Sequence, residues 1–169
     1  IEGGWPGSNP KDDEFFDRVQ SELDLANSRL VAFGSTRRIK GKVDDDLTLQ
    51  HLLAANTEVV CIVGKASEYH VTEALRTTLD EGVAMVADSV RFLKENSRTV
   101  FFDAEHFFDG YRENPEFSMR VLEEAAMAGA DCLILCDTNG GSLPGDVGRI
   151  VRQVADHLQA PVGVHLHND

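Results

Sequence analysis

The chain has 169 residues, 42% apolar and 27% charged, the composition of one globular domain or part of one. Its 29 acidic and 16 basic residues leave a formal charge of −13. That excludes a broad nucleic-acid surface, which needs clustered cations against the phosphates, but not one small anion held by a local basic patch.

Ile1-Glu2-Gly3-Gly4 reads as the tail of a strand, and a start at Ile1 without Met predicts a piece of a longer polypeptide. No signal peptide opens it, and no apolar run approaches the roughly 20 residues of a membrane span. Phe15, Phe16, Val19 and Leu23 predict a helix over 10–25. Leu30 to Phe33 is a strand ending at Gly34-Ser35-Thr36, and a short helix over 47–55 leads to the strand Val59 to Val63. The apolar stripe Leu75, Leu79, Val83, Val86, Val90 and Leu93 predicts one long helix over 71–96, or two abutting ones with Gly82 as the weak point. Thr99 to Phe102 is a strand. Asn114 as cap and Pro115 at the first position open a helix over 115–128, and Pro144 opens another over 144–158 in the same way. Cys132 to Cys136 and Val162 to Val164 are the last strands.

These apolar runs have the length of strands buried on both faces, and they alternate with helices, so the sheet is parallel with right-handed crossovers. About six strands and five helical segments follow. A doubly wound dinucleotide fold would favour G-x-G-x-x-G after a strand, and the chain has none. Glu105, Asp137, Thr138, His165 and His167 all fall just after strands, where a (β/α)8 barrel carries its chemistry. The fold class is therefore α/β, a TIM barrel present as an incomplete arc over 1–169.

The cysteines fit the same picture. Cys61, Cys132 and Cys136 sit in strands as small hydrophobes. Residues four apart on a strand are separated by roughly 13 Å, too far for Cys132 and Cys136 to bridge. The expected setting is a reducing one, the cytoplasm.

His165 and His167 are two apart on a strand, so both imidazoles share a face and are able to share a metal ion. As an isolated pattern, His-x-His is more often a pair of hydrogen-bonded surface histidines. Asp103 and Glu105 likewise share a face, and paired carboxylates at a barrel mouth suit a general base; the plainer reading is a solvated strand end. In Asp137-Thr138-Asn139-Gly140-Gly141 the glycines allow close backbone approach and the Thr138 hydroxyl suits a substrate carboxylate; a tight turn before the next helix is the alternative. Arg37, Arg38, Lys40 and Lys42 form a basic cluster suited to an anionic tail, though a solvated loop is the simpler expectation. His106 reads as a loop or packing residue, and His51, His70 and His157 as helix-surface or packing residues.

Six stretches stand together in order: Ile1–Lys11, Ala32–Arg38, His70–Leu79, Phe102–Tyr111, Leu135–Gly141 and His165–Asp169. With them the chain resembles the 2-isopropylmalate and homocitrate synthase family of TIM-barrel Claisen enzymes. The stretch Asp103-Ala104-Glu105-His106-Phe107-Phe108-Asp109-Gly110 is similar to the citramalate-type branch. The resemblance implies an acyltransferase that condenses acetyl-CoA with pyruvate, giving citramalate and CoA, in branched-chain amino-acid biosynthesis. It implies a divalent metal (Zn, Mn or Mg) on His165, His167 and an Asp of the first barrel strand. It implies Glu105 in proton transfer, Thr138 on the 2-oxo acid and Asp103 lining the acceptor pocket. The full-length protein is then expected to be a homodimer acting on small molecules, with neither nucleic acid nor membrane as partner. On this alignment the chain holds strands two to seven of eight. The first strand with its Arg-Asp motif, the eighth strand and a C-terminal regulatory domain are missing, so these residues alone are expected to be inactive. The alternatives are a bulkier 2-oxo acid, a related acyl-CoA lyase, or a non-catalytic fragment.

Overall fold

The computed structural model describes residues 1–167; Asn168 and Asp169, the end of the His165–Asp169 stretch, lie outside the described residues. Among the described residues six strands form one sheet, in the order β1 (Glu2–Gly4), β2 (Val31–Ser35), β3 (Val59–Lys65), β4 (Thr99–Glu105), β5 (Cys132–Asp137) and β6 (Val162–Leu166). Every neighbouring pair is parallel. Each strand is laid beside the one before it and the order never reverses. A doubly wound sheet must reverse at its switch point, whereas a barrel need not, so the arc is part of a TIM barrel.

The two faces of the sheet differ. Alternate residues of the strands, among them Ala32, Val60, Ile62, Phe102, Ala104, Leu133 and Leu135, pack against the helices in one continuous core. The helices are α1 (Pro10–Glu22), α2 (Leu47–Ala54), α3 (Leu79–Glu95), α4 (Phe107–Glu113), α5 (Pro115–Met127) and α6 (Pro144–His157). The intervening residues form a second cluster, Val31, Val59 and Cys61 with Phe33, Phe101 and Ile134, made of strand residues alone. This second face is the inner wall of the barrel. Gly64 shows how tightly the outer face is filled: a Cβ there would lie 2.9 Å from the Phe102 ring and 3.0 Å from Val86 of α3.

The elements follow the expected residues, with the following differences. The helix expected over 71–96 is interrupted: a single π turn spans His70–Ala74, Arg76 turns left-handed at φ 57°, and α3 begins only at Leu79. The break lies there because the Thr78 side chain accepts from the Glu81 N–H and caps a new helix. Gly82 is no weak point; it lies buried inside α3, where Val71 packs against it. Helix α4 was not foreseen, because Phe107, Phe108 and Tyr111 follow the strand end with no cap residue in the sequence to announce it. Asn114 does cap α5, accepting from the Phe117 N–H, but Pro144 opens α6 behind Leu143, which offers no capping side chain. Finally, β3 and β4 run two and three residues beyond their apolar cores, to Lys65 and Glu105, because the partner strand continues to supply hydrogen bonds.

Candidate active site and metal centre

The parallel arrangement brings the carboxyl ends of the strands to one rim. Register pairs Lys65 with Glu105 and Cys136 with His165, so the polar residues that end β3, β4, β5 and β6 form a continuous row. Asp103, Glu105, Thr138, His165 and His167 all lie at or just after the carboxyl ends of these strands.

His165 and His167 project to the same side, with ring centroids 5.1 Å apart and planes inclined by 16°. His165 Nδ1 lies 3.0 Å from Asp103 Oδ2. A carboxylate only accepts, so Nδ1 carries the proton. Asp103 is 3% exposed and also accepts from the Cys61 thiol, Sγ to Oδ1 3.3 Å. Burial, followed by the charge of Asp103, pushes the Cys61 and Cys136 thiols well above their ordinary range, so both stay protonated. Asp103, Cys136 and His165 bring their ligand atoms within 4.8 Å of one another. Two imidazoles on one face are donors of the kind a borderline divalent ion takes, although the group whose ligand atoms converge is Asp103, Cys136 and His165 and does not include His167. The residues present fit such an ion.

Glu105 does not pair with Asp103. Its carboxylate meets the Lys65 ammonium across the β3–β4 pair, with each side chain about a quarter exposed. Strand alternation puts Asp103 deeper in the lumen, against His165, and leaves Glu105 at the rim beside a cation. A cleft of about 610 Å³ opens there, lined in part by Trp5, Ser35, Lys65, Leu75, Met85 and Glu105. Trp5, a loop residue after β1, rests edge-on against Phe33 of β2 at 5.6 Å.

Residues 137–142 fold as the tight turn that was one of the two expectations. Gly140 adopts φ 66° and its N–H reaches the Asp137 carbonyl at 3.0 Å, while the Asp137 side chain accepts from the Ser142 N–H at 2.9 Å. The turn sets the Thr138 hydroxyl beside β4, where Oγ1 accepts from the His106 N–H at 2.9 Å.

The basic cluster departs from its expectation as a solvated loop. Arg37 is 5% exposed and bridges Glu81 at 2.7 Å and Asp88 at 2.9 Å on α3; Glu81 also accepts from the Lys40 N–H at 2.7 Å. The Arg37 guanidinium holds the Glu81 carboxyl below its ordinary value. The two acids of α3 face the loop after β2, and no linear pattern reveals that encounter. Arg38, Lys40 and Lys42 are exposed.

Three rim residues were missed. Lys65 ends β3 as Glu105 ends β4, and that position was the available signal. His70 and His106, expected as helix-surface and packing residues, stack face to face at the rim with centroids 3.6 Å apart and planes within 8°. No sequence signal marks that stack, because the two residues lie on different loops. Of the other histidines, exposed His51 packs against Gly7 and exposed His157 pairs with Glu123 at 2.7 Å.

A half-barrel with a His-x-His pair and a strand-end glutamate defines a class of TIM-barrel enzyme domains, and the comparisons place this one. The HMGL-like family model matches residues 1–169, and the chain belongs to that family. It is 50% identical over 169 residues to "(R)-citramalate synthase" of Geobacter sulfurreducens and 50% identical to that of Streptomyces coelicolor, covering all of this chain and 32% of each relative. A "2-isopropylmalate synthase" of Synechocystis is 29% identical over 173 residues, covering 31% of it. The chain thus spans about a third of the length of the curated relatives it matches. In fold it is similar to the HMG-CoA lyase of Bacillus subtilis, with TM-score 0.72 at 16% identity, covering 98% of this chain and 54% of that one.

Proposed function

We propose that these residues are the greater part of the catalytic barrel of a cytoplasmic acyltransferase that condenses acetyl-CoA with pyruvate, water then cleaving the thioester to release citramalate and CoA. The observation that carries the reading is the shared rim of the His165–His167 pair, Glu105 and Thr138, in a chain 50% identical to (R)-citramalate synthases. The greater distance from a 2-isopropylmalate synthase, at 29% identity, favours the small acceptor over a bulkier 2-oxo acid. In this reading residues 1–169 alone are inactive, because the further metal ligand and the arginine that the resemblance implies are not among them. A homodimer is the assembly proposed for the complete protein.

His165 and His167 would hold the divalent ion, which when bound supplies Lewis acidity toward the carbonyl of the 2-oxo acid. Asp103 serves the acceptor side through His165: it keeps the ring in one tautomer and raises its basicity. Thr138 donates its hydroxyl to the acceptor carboxylate. Glu105 takes the proton from the methyl group of the thioester lying in the adjoining cleft, and Lys65 holds the Glu105 carboxylate at the rim. The test is an assay of free CoA thiol, using the polypeptide encoded by the complete gene, with acetyl-CoA and pyruvate, 2-oxoisovalerate or 2-oxoglutarate. Preference for pyruvate supports the reading. Preference for a bulkier acid replaces citramalate synthesis, and no thiol release with any acceptor overturns the condensation.

A further inference from the structure

Two loops at the rim hold unusual backbone. The loop after β3 contains the single π turn His70–Ala74, and π turns recur at functional sites. The loop after β4 places His106 in the left-handed region, φ 57° and ψ 30°, where a residue with a Cβ is disfavoured and which glycine or asparagine adopts more readily. The two are joined by the face-to-face stack of their imidazoles at 3.6 Å. His70 is itself anchored, with Nδ1 3.1 Å from the Ser67 hydroxyl. The Ala66–Ser67 backbone is held in turn, because Ser118 donates to the Ala66 carbonyl at 2.7 Å and the Ala66 N–H reaches the Glu105 carbonyl at 3.0 Å.

The result of this bracing is the direction of one peptide group. The His106 N–H points at Thr138 Oγ1, 2.9 Å away. A hydroxyl has one proton and two acceptor lobes. An amide N–H occupies an acceptor lobe and cannot receive a proton, so the Thr138 hydroxyl keeps its own proton for another partner. A carboxylate has the complementary polarity, being an acceptor only. The His106 ring makes its contact through its face: Nδ1 is buried with no hydrogen-bond partner among the described residues, and Nε2 is 4.0 Å from Glu105 Oε1. Burial, reinforced by His70, holds the imidazole below its ordinary pKa, and a neutral ring stacks without charge repulsion.

We propose that His106 is a positioning residue for the acceptor: stacked on His70, its left-handed backbone aims the N–H at Thr138 and commits the Thr138 hydroxyl to donate to the carboxylate of the 2-oxo acid. This rests on the condensation reading.

Three variants of the polypeptide encoded by the complete gene test it. His106→Asn keeps both the N–H and a tolerated left-handed turn. His106→Val keeps the N–H, but its branched Cβ drives the backbone out of that region. His70→Ala removes the brace and leaves residue 106 native, which serves if His106→Val does not fold. One misdirected hydrogen bond predicts a KM for pyruvate raised about 3- to 10-fold in His106→Val and His70→Ala, with kcat and the KM for acetyl-CoA within about twofold of wild type. His106→Asn should restore most of the pyruvate KM, and Thr138→Ala combined with His70→Ala should be no worse than Thr138→Ala alone. An unmoved pyruvate KM in both His106→Val and His70→Ala, or a loss confined to kcat, overturns the proposal while leaving the condensation intact. A wild-type protein that releases no CoA overturns the condensation reading and this proposal with it.

Discussion

The outer and inner faces of one sheet are built from alternate residues of the same strands, yet they obey different chemistry. On the outer face Phe102, Leu133 and Leu135 are fully buried under helices of this chain. On the inner face the residues between them are apolar toward the amino-terminal end, as at Val31, Val59 and Phe101, and Asp103, Glu105, Cys136 and His165 enter toward the rim. Stability therefore resides on the face the helices close, and chemistry on the face where polar groups have only one another as partners. Asp103 makes the point: buried among strand residues, it is satisfied by a thiol and an imidazole instead of a counter-cation.

The contrast breaks most sharply if the faces are exchanged. Glu105→Gln, on the inner face, should lower condensation by roughly 10² to 10⁴ in kcat, the usual worth of general acid–base catalysis, with an unchanged melting temperature. Near-normal turnover of that variant would leave Glu105 a structural strand-end carboxylate. Phe102→Ala, on the outer face next door, should do the reverse: about 3–5 kcal/mol of stability lost in denaturant titration, from the transfer and cavity terms together. Should it fold as well as the parent and lose only turnover, the division between the faces fails.

Asp103→Asn tests the intermediate case, a buried inner residue acting through a ligand. The amide keeps the shape but loses the charge that sets His165, and metal affinity measured by calorimetry should fall about 10- to 100-fold. Unchanged affinity would separate Asp103 from the metal centre and return it to the acceptor pocket.

The smallest effect is on the pH dependence of stability. His106 is held below its ordinary value of 6.5 by burial first and His70 second, with Lys65 acting in the same direction and Glu105 and Asp109 opposing. Below about 6.5 the unfolded chain therefore binds a proton that the folded rim resists, so stability falls as pH drops through that range and is recovered above it. Between pH 7 and pH 5, His106→Asn should lose less melting temperature than wild type. An equal loss would show that the His106 ring takes up its proton in the fold as readily as in the unfolded chain.

Much of this molecule is written in amino-acid order, because the forces responsible are local or periodic. Short apolar runs between amphipathic segments determine a parallel sheet, Asn114 and Pro115 determine where α5 begins, and the two-residue spacing of His165 and His167 determines that their rings share a side. The strand ends of Glu105 and Thr138 are legible for the same reason. What only the tertiary structure decided are the encounters between segments far apart in the chain. Arg37 meets Glu81 and Asp88, Lys65 takes Glu105 from its expected carboxylate neighbour, and Asp103 closes on His165, 62 residues away. The His70–His106 stack depends further on a π turn and a left-handed residue, conformations that intrinsic preference disfavours and that persist because the surrounding contacts over-determine them.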